Sequence, residues 1–284
     1  MSSRVWLIIG TSSGFGREFV KSVLGRGEKV IATARNLEKV KDLKELGAHT
    51  LQLDVTSDQS TLNSFAQQAI DVYGHVDILI NNAAYVLNGT IEETTAEETE
   101  KLFQTNVFGV LNTTRALLPH FRSRKSGIIV NISSIGGIQS IKVGGLYCAT
   151  KFALESISEA LRDEVAHLGI KVVVVEPGYF RTEVLSSNNM VDAKKTIPDY
   201  EKVHQEVDFH AVHNKQRGDP KKLAERLVDV LTQSGVAEGR EIPFRLPLGG
   251  EAYSFIEGKW KTVLKEMDEW KDVIASTDFD EEKQ

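Results

Sequence analysis

The chain has 284 residues, 41% hydrophobic and 26% charged, the proportions of an ordinary globular protein; collagen-like, disordered and disulfide-scaffold classes are excluded. Lys plus Arg number 34 against 40 Asp plus Glu, a net charge of −6 without a basic cluster, so no nucleic-acid partner is expected. One cysteine, Cys148, excludes an intrachain disulfide, and neither a membrane span, a signal peptide nor a lipidation motif is read, so the expected setting is cytoplasmic.

Short β-type runs alternate with helical patterns along the chain. Val5–Ile9 reads as a first strand and leads into a helix over Gly16–Arg26. A strand at Lys29–Ala34 precedes a helix at Leu37–Leu46; a strand at Thr50–Leu53 precedes one at Gln59–Tyr73. Strands at Ile78–Asn81, Ile128–Ile132 and Lys171–Glu176 alternate with helices at Glu97–Phe121 and Tyr147–Leu168. Nearly unbroken apolar strands suit a parallel sheet buried on both faces, so the spacing predicts a doubly wound α/β sheet in three layers. No internal repeat or linker divides the chain, and residues 1–284 read as a single domain. After Pro177-Gly178 the periodicity fades: Thr182–Gly218 is polar and loop-like, as a substrate lid or a disordered segment would be. A helix at Pro220–Gln233, a last strand at Glu241–Leu246, a terminal helix at Glu251–Ile274 and a frayed acidic tail at Thr277–Gln284 complete the reading.

Chemistry is concentrated at a few points. Gly10-Thr-Ser12-Ser13-Gly14-Phe15-Gly16 joins the first strand to the first helix, where glycines let backbone approach a pyrophosphate at a helix N-terminus. Its spacing is G-x-x-x-G-x-G rather than G-x-G-x-x-G, and a glycine cluster alone also suits any tight strand-to-helix turn. Tyr147 and Lys151 lie four apart, on one helix face, which by itself says little. Ser134 ends a buried strand 13 residues before Tyr147, and strand C-terminal ends are where open α/β sheets bind ligands. With Asn81-Asn82-Ala83-Ala84, Asn106 and Pro177-Gly178 in the same order, the chain resembles the short-chain dehydrogenase/reductase family in its shorter-subunit form, over roughly Val5–Thr182.

The resemblance implies a Rossmann-like sheet of strand order 3-2-1-4-5-6-7 and a catalytic set Asn106, Ser134, Tyr147 and Lys151. A phenol is a poor base near neutral pH, and a neighbouring ammonium is expected to lower its pKa. Ser134 would bond the substrate oxygen. Lys151 would hold ribose hydroxyls, and Asn106, unfavourable in a helix interior on propensity, would hold a water that feeds protons to the lysine. The same resemblance places cofactor contacts at Gly10, Ser12, Ser13, Gly14, Phe15, Gly16, Asp54, Val55, Asn82, Ala83, Ala84, Pro177, Gly178 and Thr182, besides Tyr147 and Lys151. Two positions depart from the family pattern. Ile9 replaces a threonine whose hydroxyl ties the glycine loop to the fourth strand, and Ala84 replaces a glycine close to the cofactor.

Cofactor choice is read at the end of the second strand. Ala34 stands where an NAD-preferring site carries an acid, and Arg35 follows, a guanidinium suited to a 2′-phosphate. NADP(H) is therefore the expected cofactor. Substrate contacts are expected from Tyr85, Ser134, Tyr179, Phe180, Ile135–Leu146 and the lid, a mostly apolar set with Lys142 and Arg181 as exceptions, which suits an apolar or aromatic ketone or alcohol. Leu246-Pro-Leu-Gly249 resembles family members near the retinol and 17β-hydroxysteroid dehydrogenases. No metal is expected: His204, His210 and His213 lack ligand spacing, and Cys148 has no histidine partner that would make it a nucleophile. A homodimer or homotetramer paired through helices Glu97–Phe121 and Tyr147–Leu168 is a further expectation from the family. An NAD-dependent alcohol dehydrogenase and a non-enzymatic NADPH-binding redox sensor are the competing readings, and fold alone would not separate them.

Overall fold

β1, Val5–Ile9, is five apolar residues with all five side chains buried. Trp6 and Ile8 enter one core layer while Val5, Leu7 and Ile9 enter the other, so a single strand serves both faces of the sheet. The computed structural model describes residues 3–186, 189–207, 209–212 and 214–279. The further strands are β2 Lys29–Ala34, β3 His49–Gln52, β4 Ile78–Asn81, β5 Val86–Asn88, β6 Gly127–Ile132, β7 Ile170–Pro177, β8 Met190–Asp192 and β9 Arg245–Leu248. Seven form one parallel sheet in the order β3-β2-β1-β4-β6-β7-β9, the predicted winding once the small β5–β8 pair is set aside. On one face, helices Gly14–Leu24 and Pro220–Thr232 contribute Phe19, Val20, Leu223 and Leu227 to the core. On the other, Gln59–Tyr73 and Gly109–Arg124 contribute Leu62, Phe65, Leu117 and Phe121.

Several boundaries differ from the sequence reading for local physical reasons. The first helix starts two residues earlier, at Gly14, directly after the extended Ser13, and it stops at Leu24 before Gly25. The last strand begins at Arg245 rather than Glu241, just beyond Pro243, which has no N–H for a ladder. The terminal helix breaks at Trp270. The expected single helix Glu97–Phe121 is three pieces: an α-helix Ala96–Phe103, a π-turn Gln104–Phe108 and an α-helix Gly109–Arg124. The stretch expected to be loop-like, 182–218, carries structure of its own. It contains β8, helical turns at Glu183–Leu185 and Pro198–Tyr200, and short helices at Glu201–Glu206 and Phe209–Val212. β8 pairs in parallel with β5, and Leu185, Met190 and Phe209 pack with Val86 and Val143 in a small apolar cluster of their own. Residues 280–284 of the expected tail, and His213, lie outside the described residues.

Candidate active site

The glycine loop lies between β1 and the first helix. Gly10 has φ +80°, and a Cβ there would sit 2.8 Å from the Ala83 backbone; a Cβ on Gly16 would sit 2.2 Å from the Gly10 carbonyl oxygen. Both positions therefore require glycine. The hydroxyl lost at Ile9 is made good by other groups. Asn82 Nδ2 donates to the Gly10 carbonyl (2.7 Å), tying the loop to the end of β4, and the Gly10 N–H donates to Thr33 Oγ1 (3.3 Å) on β2. Ser13 makes no side-chain capping bond and the first helical turn has no acidic residue, so the positive helix end faces outward without a competing anion.

That helix end opens on a cavity of about 490 Å³. The cavity collects most of the residues expected to hold a cofactor: Gly10, Ser12, Ser13, Gly14, Phe15, Arg35, Asp54, Val55, Asn82, Ala83, Ala84 and Thr182. A phosphate-bearing dinucleotide fits this donor set, with the glycine cradle and helix N-terminus at one side and Arg35 at the other. No carboxylate pairs with the exposed Arg35 guanidinium among the described residues. Tyr85, expected against substrate, lines this larger cavity instead. Pro177 and Gly16 do not line it: Pro177 closes β7 beside Leu248, and Gly16 lies beneath the loop.

Ser134, Tyr147, Gly178, Tyr179 and Phe180 line a second, smaller cavity of about 90 Å³, walled by Val86, Ile141, Leu185 and Phe209. Strand β6 ends beside Ser134, whose Oγ accepts the Gly136 N–H (3.0 Å). The helix Gly145–Val165 presents Tyr147 and, one turn on, Lys151. Lys151 Nζ lies 5.7 Å from the Tyr147 ring centroid and donates to the Ile132 carbonyl (2.8 Å). Burial lowers the Lys151 pKa from 10.5 to about 8, with Glu155 opposing. Burial also pushes the Tyr147 phenol well above its ordinary value, and a hydrogen bond with Ser134 only partly offsets it. Against the sequence expectation of a lowered phenol, desolvation dominates here and keeps the Tyr147 hydroxyl protonated.

Asn106 sits at the centre of the π-turn, fully buried. Its Nδ2 donates to the Tyr85 carbonyl (3.0 Å) and to Thr150 Oγ1 (3.2 Å), and its Oδ1 accepts the Tyr85 N–H (3.1 Å). Thr150 Oγ1 in turn donates to the Tyr147 carbonyl (2.6 Å). Asn106 is therefore no solvent-facing helix polar; its side chain joins the strand-end segment at Tyr85 to the helix Gly145–Val165. A π-turn widens the helix at one point, as often happens at functional sites.

Four buried glutamates, Glu93, Glu98, Glu155 and Glu176, are not singled out by the sequence reading. Glu93 Oε1 accepts the Ile197 N–H (2.9 Å), while its Oε2 accepts the Thr90 N–H (3.1 Å) and hydroxyl (2.9 Å) and lies 2.7 Å from His204 Nε2. Burial opposes its charge, but these bonds prevail and hold its pKa at about 2. Glu98 Oε1 accepts the Lys194 N–H (3.0 Å), so both glutamates pin the lid. The pattern Thr95-x-x-Glu98 was a readable signal, and the capping box it predicts is present. Glu155, four residues past Lys151, is buried beside Glu176 and shares Arg245 with it; burial raises its pKa to about 7. Of the expected charged lining residues, Lys142 pairs with Glu206 (2.5 Å) and Arg181 donates to the Gln216 carbonyl (3.1 Å). No group of His, Cys, Asp and Glu among the described residues could hold a metal, and no helix there is long and apolar enough to cross a membrane.

Comparison with known proteins agrees with this geometry. A family model described as short chain dehydrogenase matches residues 4–192. The crystal structure of a short-chain dehydrogenase from Streptomyces avermitilis is 41% identical, covers 98% of this chain and 100% of its own, and superposes with a TM-score of 0.88. The uncharacterised oxidoreductase YusZ of Bacillus subtilis is 33% identical over 88% of this chain and 90% of its own length. The 3-ketodihydrosphingosine reductase of Bacteroides thetaiotaomicron is 39% identical over 70% of this chain and 72% of its own. Two more distant solved relatives, each 26% identical, carry NADP and NADH respectively. The chain belongs to the short chain dehydrogenase family of oxidoreductases, which bind a nicotinamide cofactor.

Proposed function

We propose that the protein is an NADP(H)-dependent carbonyl reductase and secondary alcohol dehydrogenase for apolar or aromatic substrates. The observation that carries this reading is the convergence of Ser134 and Tyr147 on an apolar cavity, with the Lys151 ammonium behind the tyrosine ring. When bound, the reduced nicotinamide supplies a hydride to the carbonyl carbon. Ser134 holds the carbonyl oxygen by its hydroxyl and steadies the negative charge that develops there. Tyr147, kept neutral by burial, gives that oxygen its proton. Lys151, whose pKa of about 8 lies close to working pH, replaces the proton on the phenol. Asn106 holds the Tyr85 and Thr150 segments in register with the helix that carries both groups. The mostly apolar cavity wall favours an apolar substrate, and the relative named as a 3-keto reductase agrees in reaction type. Self-association belongs to the same proposal: Phe108 and Phe152 are exposed on the π-turn and the catalytic helix, the elements expected to pair between copies.

The cofactor preference rests on Ala34 and Arg35. A charge-assisted contact to a 2′-phosphate is worth roughly 1.5–3 kcal/mol, which is about one to two orders of magnitude in kcat/KM. A panel of apolar ketones, assayed with NADPH and NADH, should show that preference, and Ala34→Asp with Arg35→Ala should invert it. Equal use of both cofactors by the wild type would refute the assignment, and binding of NADPH with no turnover of any ketone would favour a redox sensor instead.

A further inference from the structure

The small cavity has no charged side chain in its wall, and Gln216 is one of the residues that line it. Gln216 is 3% exposed, and neither its Oε1 nor its Nε2 has a hydrogen-bond partner among the described residues. Buried polar groups are almost always paired, so an amide with both ends unpaired calls for an explanation. The backbone around it is well tied. The Arg181 guanidinium donates to the Gln216 carbonyl (3.1 Å), the Arg181 N–H donates to the Gly218 carbonyl (2.9 Å), and the Gly218 N–H donates to the Tyr179 carbonyl (3.1 Å). Gln216 is thus held in place at the cavity that also contains Ser134 and Tyr147.

We propose that Gln216 is a specificity-determining residue that recognises a second, neutral polar group of the substrate, a hydroxyl or carboxamide within a few bonds of the reacting carbon. This rests on the reading above that Ser134 and Tyr147 take the carbonyl oxygen. An amide offers a donor and an acceptor side by side, which a hydroxyl or another amide can satisfy fully. A carboxylate, phosphate or ammonium finds no opposite charge in this wall. A substrate lacking the second group leaves the buried amide unpaired, the circumstance in which polar sites discriminate most strongly. The cavity is small, which sets the few-bond separation.

The test compares isosteric pairs that differ by a methyl against a hydroxyl: propiophenone with 2-hydroxyacetophenone, and butyrophenone with 3-hydroxypropiophenone. Binding to the protein saturated with NADP+ is measured by calorimetry, and kcat/KM is measured with NADPH. In the wild type at least one hydroxylated compound should be favoured about tenfold or more over its partner. In Gln216→Met, which keeps the length without the amide, that ratio should fall to about one. The variant's unfolding midpoint should equal or exceed the wild type's, because unpaired buried atoms have been removed. Ratios that are the same in wild type and variant for both pairs would overturn the proposal. A hydroxyl preference in binding that Gln216→Met abolishes, without turnover of any ketone, would uphold it and count against the carbonyl-reductase reading alone.

Discussion

Lys151→Met should inactivate the protein while making it more stable. Lys151 is 3% exposed, and burial takes its pKa from 10.5 to about 8. That fall corresponds to about 3 kcal/mol of cost for the charged form in the fold. The folded pKa lies below the unfolded one, so the cost is fully present below pH 8, where both states are protonated. It shrinks as pH rises from 8 to 10.5 and is absent above 10.5, where both states are neutral. Methionine matches the stem without the charge. It forfeits the bond to the Ile132 carbonyl and leaves that oxygen unpaired, which returns roughly 1–2 kcal/mol. The net expectation is a gain of about 1–2 kcal/mol at pH 7 that fades toward pH 10. Urea unfolding at pH 6, 7, 9 and 10 measures it, alongside a turnover assay in which kcat falls at least 100-fold. A variant less stable than wild type at pH 7, or a difference independent of pH, would refute the desolvation argument.

Tyr147→Phe should lower kcat by about 10²–10⁴-fold and leave cofactor affinity nearly unchanged in fluorescence titration, because the lost group is the proposed proton donor. The wild-type rate of ketone reduction should fall as pH rises through about 8, as Lys151 loses the proton it passes on; a flat profile from pH 7 to 9.5 would count against that role. Gly16→Ala would set a Cβ 2.2 Å from the Gly10 carbonyl and 2.8 Å from Asn82 Nδ2, so cofactor Kd should rise at least tenfold while circular dichroism is unaltered. Glu93→Gln cannot accept at both oxygens and turns its amide hydrogens toward the donor Ile197 N–H or the Thr90 N–H; at roughly 2–4 kcal/mol, limited proteolysis within 182–218 should accelerate at least thirtyfold. An unchanged cutting rate would show that the lid does not depend on this carboxylate.

The central sheet was legible because its signal is local. β1 is an unbroken apolar run and β7 carries four consecutive valines, and a strand covered on both faces can be little else. The Ser134, Tyr147 and Lys151 set was legible for the same reason: a strand end and one helical turn fix their relations within 18 residues. β5 and β8 gave no such sign. Each is three residues long, and their pairing joins positions about a hundred residues apart, so neither has a period of its own. Asn106 left only an anomaly of propensity, because a π-turn differs from an α-helix in which carbonyl each N–H reaches, and sequence spacing does not encode that choice.

Glu93 shows where local reasoning fails altogether. In Thr90-Ile-Glu-Glu93-Thr it looks like one more solvated acid, and its neighbour Glu92 is exposed. It is buried because Ile197 and His204, more than a hundred residues later, bring donors to it. Gln216 is the same case: polar, in a polar segment, and buried only because Tyr179–Arg181 folds back on Gly218. The lid residues that line both cavities are thus placed by long-range contacts that no window of sequence contains. It follows that two chains sharing every motif residue here can still differ in substrate, since the proposed proton transfer rests on the helix Gly145–Val165 while the cavity wall is completed by residues of 182–218. Substitutions confined to Ser134, Tyr147 and Lys151 would report on the chemistry, and only substitutions such as Gln216→Met, made across the lid contact, can report on what the chemistry is performed upon.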